Sequence, residues 1–200
     1  MVVLVLVALV CLGLPGAGAI WYVMQNNGPY HTVDVVCGVV NSPASKQYTG
    51  GLAGEPTTGA WTSGCNWTKD ADFLFTVQVS VEHKHGFHDS IDEAKTWYNM
   101  MKDQAASATG DLDTSFAGEN TWGIGDEAYL SFTSKLTASG KSRADKQLVV
   151  ARTGNVVIEV QYLKVVPATQ TASYSEANDQ ARGFRDPALA LFKDVTEDLH

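Results

Sequence analysis

Phe73-Leu74-Phe75-Thr76-Val77-Gln78-Val79-Ser80-Val81 is the stretch whose reading decides the fold. Phe73, Phe75, Val77, Val79 and Val81 fall on one side and Thr76, Gln78 and Ser80 on the other, the period of two that marks a strand with one buried face. Immediately upstream stands Trp61-Thr62-Ser63-Gly64-Cys65-Asn66-Trp67. Cys65 is placed there to tie an earlier element to the sheet, and Trp61 and Trp67 supply large apolar bodies beside it.

Downstream, Ser90 and Glu93 form a capping box for a helix that runs to about Ala106, with Ile91, Ala94, Tyr98, Met101 and Ala105 as its apolar stripe and Trp97 beside it. Asp111 to Asn120 is polar and reads as turn, and Trp122-Gly123-Ile124-Gly125-Asp126 reads as a bend. Three further strands follow, around Ala128–Thr133, Gln147–Ala151 and Val156–Tyr162, the last two joined by a hairpin at Thr153-Gly154-Asn155. Ser175–Arg182 and Asp186–Glu197 read as helices, the second with Asp186 as cap and Pro187 at its first position. Upstream of the core strand, Thr32–Val40 is a short apolar run read as a helix carrying Cys37, and Ala44–Ala60 is rich in Gly, Ser, Thr and Pro and reads as a surface loop. The order predicts an α+β fold, an antiparallel β-sheet with helices packed on it.

Residues 1–24 contain no charged side chain, and about 20 apolar residues suffice to span a bilayer. They are read as one N-terminal transmembrane helix with Trp21 and Tyr22 at the headgroup level, residues 25–32 as a linker, and residues 33–200 as an extracytoplasmic α+β domain. A cleaved signal peptide is the competing reading: Ala17-Gly18-Ala19 offers a small-x-small site, but no Lys or Arg precedes it. Cys11 lies in the apolar segment, which leaves Cys37 and Cys65 for the soluble part. Paired, they would contribute about 3 to 4 kcal/mol and place the domain in an oxidising compartment. Two free buried thiols are the alternative.

The cysteine of the early helix, Gly64-Cys65-Asn66-Trp67 before the long strand, Gly123-Ile124-Gly125-Asp126-Glu127-Ala128 before the next, and Gly154-Asn155-Val156-Val157 at the closing hairpin form an ordered set. As a set it resembles an actinobacterial family of secreted lipoproteins and membrane-anchored proteins known only as a domain of unknown function. The resemblance covers roughly residues 33–191. It implies a single extracytoplasmic domain with a Cys37–Cys65 disulfide and a PsbP-like sheet-and-helix fold, and it brings no catalytic residues. Many members of that family carry a lipobox cysteine, whereas Cys11 is preceded by Leu9-Val10 and lacks that context.

A formal charge of -8, with the 14 basic residues scattered, excludes nucleic acid as a partner. His83, His85 and His88 form the one cluster suited to chemistry. His83 and His85 share a face if the strand continues, which suits Zn²⁺, Cu²⁺ or Ni²⁺, while Gly86 breaks that geometry. Asp111-Leu112-Asp113 begins like a calcium loop, but Phe116 stands where the glycine is required. No nucleophile elbow, zincin motif or phosphate-binding glycine loop is present. The expectation is a non-catalytic envelope module without a cofactor or bound metal, held in the membrane by its N-terminal helix and binding an envelope protein, lipid or glycan. A metal-binding protein or enzyme using the histidines is the alternative. The ligand site is expected where the loop after Val81, with its histidines, meets Trp122 in the segment Asn120–Asp126, and not at the hairpin of Gly154.

Overall fold

The computed structural model describes residues 28–30, 36–40, 42–59, 62–69, 73–82, 89–109, 114–119, 123–137, 139–168, 179, 183–197 and 199. Its strands are β1 (Glu55–Thr58), β2 (Thr62–Lys69), β3 (Phe73–Val81), β4 (Thr114–Glu119), β5 (Glu127–Leu136), β6 (Ser142–Thr153) and β7 (Val156–Pro167). Its helices are α1 (Val36–Val39), α2 (Pro43–Thr49), α3 (Ser90–Thr109) and α4 (Arg185–Thr196). The strands form one seven-stranded sheet in the order β1-β2-β3-β7-β6-β5-β4. Every neighbouring pair is antiparallel, so the fold is α+β as the order of elements predicts.

The period of two in β3 holds: Phe75, Val77 and Val79 are fully buried on one face. On that face they meet Cys65 and Trp67 of β2, Val156, Ile158 and Val160 of β7, Val149 of β6, and Leu130 and Phe132 of β5. Val36 of α1, Tyr48 of α2 and Phe184, Ala188, Leu191 and Val195 around α4 cover this core. The opposite face carries a smaller cluster in which Ala94, Tyr98 and Ala105 of α3 pack on Tyr129, Leu148, Val150 and Val157. Of the five expected stripe positions, Ala94, Tyr98 and Ala105 are buried and Met101 is partly buried against them, as spacings of three and four on a helix dictate, while Ile91 in the first turn is only partly buried and joins neither cluster.

Cys37 in α1 is bonded to Cys65 in β2 across a sequence separation of 28. Cys65 therefore lies within a strand, not ahead of the first one, because Thr62–Trp67 pairs with β3, while Trp61 lies outside the described residues.

Several local expectations are corrected. The stretch Ala44–Ala60 is not simply loop: Ser42 accepts from the Ser45 amide, Pro43 begins α2 and Gly50 closes it in the left-handed region at φ 62. Glu55–Thr58 then adds to the sheet edge by main-chain pairing with β2, which side-chain composition does not report. Thr114–Glu119 is likewise an edge strand and not turn. Helix α3 is capped one residue earlier than the Ser90 box, by Asp89, whose Oδ1 accepts from the Asp92 amide at 2.8 Å. Helix α4 starts at Arg185 on Phe184 without a side-chain cap, so Asp186 lies in its first turn, where a carboxylate favours the helix dipole. Of the helix expected over Ser175–Arg182, Asp179 alone is described. Among the described residues no helix is long and apolar enough to cross a membrane. The expected anchor, residues 1–24, lies outside the described residues.

Candidate functional site

His83, His85, His88 and Trp122 also lie outside the described residues. Among the described residues no group of His, Cys, Asp and Glu is placed to hold a metal ion. The described residues on either side are placed: Glu82 precedes and Asp89 follows the histidines, and Gly123 follows Trp122. The hairpin of Gly154 is not distal to the junction of β3 and the 123–126 bend; it joins them. Asn155, fully buried, donates from Nδ2 to the Glu82 carbonyl at 2.9 Å and to the Tyr30 carbonyl at 2.7 Å, and its Oδ1 accepts from the Tyr30 amide at 3.1 Å. On the other side of the turn, Asp126 Oδ2 accepts from the Gly154 amide at 2.8 Å and from Arg152 Nη1 at 3.1 Å. Arg152, itself buried, also meets Glu127 Oε2 at 3.1 Å. The polar groups at this sheet end thus hold the fold together.

A described site with room for a ligand lies at the other end of the sheet. Strands β6 and β7 each run 12 residues, about 40 Å, whereas the 12 residues of α4 extend only about 18 Å. The strands outrun the helix, and the core face changes character where α4 begins. On β7 it passes from Val156, Ile158 and Val160 to Tyr162 and Lys164; on β6 from Ala151 and Val149 to Gln147 and Asp145; on β5 from Leu130 and Phe132 to Ser134. These are matching register rows: Gln147 pairs with Tyr162, and Asp145 pairs with both Lys164 and Ser134.

A cavity of about 440 Å³ lies on these rows, lined by Tyr48, Asp145, Gln147, Tyr162, Lys164, Val166, Gly183 and Phe184. Tyr48 meets Tyr162 edge-on with ring centroids 5.5 Å apart and Phe184 at 5.3 Å, so three rings make one wall. Behind the floor, Ser134 donates to Asp145 Oδ1, and the buried Arg143 donates from Nε to Ser134 Oγ at 3.0 Å. Asp145 is thereby turned towards Ser134, although Lys164 is its direct cross-strand neighbour.

Apart from Asp145, the polar side chains of the lining are uncommitted. Among the described residues the Tyr48 and Tyr162 hydroxyls, the Gln147 amide and the Lys164 ammonium have no hydrogen-bond or ion-pair partner. Burial pushes both phenols up, Tyr48 further through its proximity to Tyr162, so both stay neutral and able to donate at physiological pH. Half-buried polar groups are ordinarily satisfied within the protein or by water. Three half-buried groups and the exposed Lys164 ammonium, none with a partner among the described residues, converge on one cavity beside three aromatic rings, which is the composition of a small-ligand site. None of the lining residues is among the candidate site residues read from the sequence, where Tyr162 and Phe184 count only as buried-face positions. The available signal was the shared switch from aliphatic to polar side chains halfway along the core faces of β5, β6 and β7.

The fold and cavity define the class: an α+β domain with helices on both sheet faces and a polar, aromatic-walled cavity at the start of α4. No family model and no curated protein matches the chain. Among solved structures it is similar at 15% identity to LpqN, described as involved in cell envelope biogenesis of Mycobacterium tuberculosis, over 72% of this chain and 84% of that one. The TM-score is 0.25, at which the likeness carries no argument about this chain.

Proposed function

We propose that this chain is a non-catalytic binding module of the bacterial cell envelope, anchored by residues 1–24 with its α+β domain on the outer side, and that its cavity binds a small hydroxyl-rich ligand of the saccharide class. The observation that carries the reading is the set of uncommitted groups, Tyr48, Gln147, Tyr162 and Lys164, around a volume of about 440 Å³. A sugar ring presents C–H faces to aromatic side chains and hydroxyls that both donate and accept. The three rings, the Gln147 amide, the Lys164 ammonium and the remaining acceptor capacity of Asp145 match that pattern. An acyl chain would leave these groups desolvated without partners, at about 1 to 3 kcal/mol each.

The placement outside the cytoplasm is supported by the Cys37–Cys65 disulfide, since such bonds persist in oxidising compartments. The non-catalytic reading is supported by the lining: its phenols are held neutral, and the nearby Ser134 hydroxyl is engaged by Asp145 and Arg143.

The test is saturation-transfer NMR on the full chain in detergent micelles, with a panel of soluble neutral, amino and acidic saccharides. Binding by at least one class, competed by excess of that sugar and weakened in Gln147→Ala and Tyr162→Phe, is the expected result. No transfer from any of them, or transfer unchanged in both variants, refutes the cavity as the site.

A further inference from the structure

The chain enters the domain at the sheet end opposite the cavity. Gly28-Pro29-Tyr30 is docked on the β6–β7 hairpin by the paired hydrogen bonds between Asn155 and Tyr30. Contact at this joint is close enough to demand glycine on both sides. Gly28, at φ 72, has no room for a Cβ against the Asn155 side chain, and Gly154, at φ 54, would bring one within 2.9 Å of Pro29. From Gly28 back to Met24, the last residue of the apolar run, the chain can extend at most about 14 Å. The hairpin end is therefore confined to the neighbourhood of wherever that run resides.

Cavity and hairpin are separated by the length of β7. Lys164 lies eight residues beyond Val156, about 27 Å along the strand, and the β5–β6 turn at Ser139–Lys141 lies farther still. Charge opposes a recumbent domain. With residues 1–24 uncharged, the whole formal charge of -8 belongs to the remainder of the chain, which an anionic leaflet repels.

We infer that the domain stands on the membrane with its β6–β7 hairpin end towards the lipid headgroups and its cavity held away from them, so that the cavity takes its ligand from the aqueous, wall-facing side and not from the bilayer. This rests on the anchored reading above and adds to it the direction in which the site looks.

The experiment is energy transfer from the full chain in vesicles of phosphatidylcholine and phosphatidylglycerol to an acceptor-labelled headgroup in the outer leaflet. Donors are attached one at a time through Asp92→Cys, at the exposed start of α3, the helix that packs on Tyr129, Val150 and Val157 in the hairpin half of the sheet, or Lys141→Cys, at the exposed far turn, each with Cys11→Ala and the native disulfide intact. Transfer from position 92 exceeding that from position 141 by at least about twofold is expected for sites separated along strands of this length. Equal or reversed transfer, with the protein floating with the vesicles, overturns the orientation and leaves the anchor standing. Protein that does not float with the vesicles overturns the anchor, and the orientation with it.

Discussion

Removing the side-chain amide of Asn155 tests the joint between linker, β3 exit and hairpin. Asn155→Ala deletes two donated hydrogen bonds, to the carbonyls of Tyr30 and Glu82, and one accepted from the Tyr30 amide. The net value of each bond is about 1 kcal/mol, and each backbone group left buried without a partner adds about 1 to 3 kcal/mol. Water will recover part of this, since the Tyr30 and Glu82 partners are only part-buried. A loss of about 2 to 4 kcal/mol is therefore expected, and Asn155→Asp should be at least as damaging, because it aims a carboxylate at two carbonyls. For a domain of this size that corresponds to roughly 5 to 15 °C in Tm. Denaturant unfolding of the full chain in micelles, followed by tryptophan fluorescence, reads it, with Asp92→Ala as an exposed control. A loss below about 1 kcal/mol in Asn155→Ala would refute the reasoning, because water would then serve these backbone groups as well as the amide does.

Replacing Cys37 and Cys65 together by Ala should cost about 3 to 4 kcal/mol on the chain-entropy model for a loop closed over 28 residues, read by the same unfolding experiment. Burial raises the Glu159 pKa against the smaller opposing effect of Lys146. Stability tied to its protonated form is thus fully present below about pH 4.5 and lost as pH rises through the higher folded value. Glu159→Gln should accordingly raise Tm at pH 7, with the gain gone near pH 4; a gain independent of pH would contradict this. Tyr48 and Tyr162 also have raised folded values, so stability should fall as pH passes 10.0, and Tyr162→Phe should flatten that decline in thermal melts.

What could be read from the sequence alone was whatever depends on near neighbours. The alternation in Phe73–Val81 identified a core strand because a pleat places every second residue on the same face, and the stripe through Ala94, Tyr98 and Ala105 identified a helix face for the equivalent reason. Polar composition misled at Pro43–Thr49, Glu55–Thr58 and Thr114–Glu119, where a cap or pairing with a neighbouring strand outweighs weak local preference. The cavity depended on tertiary structure altogether. Tyr48 comes from a short helix, Gln147 and Tyr162 from adjacent strands, and Phe184 from the start of the last helix, and nothing in the spacing of these residues says that they meet. They meet because two long strands extend past the helix that covers them, and the length of uncovered sheet is a relation between elements that no single segment encodes. The joint at Asn155 has the same character: a side chain 125 residues from Tyr30 satisfies its backbone, so the hairpin that local sequence marks only as a turn became the point where the chain enters the domain.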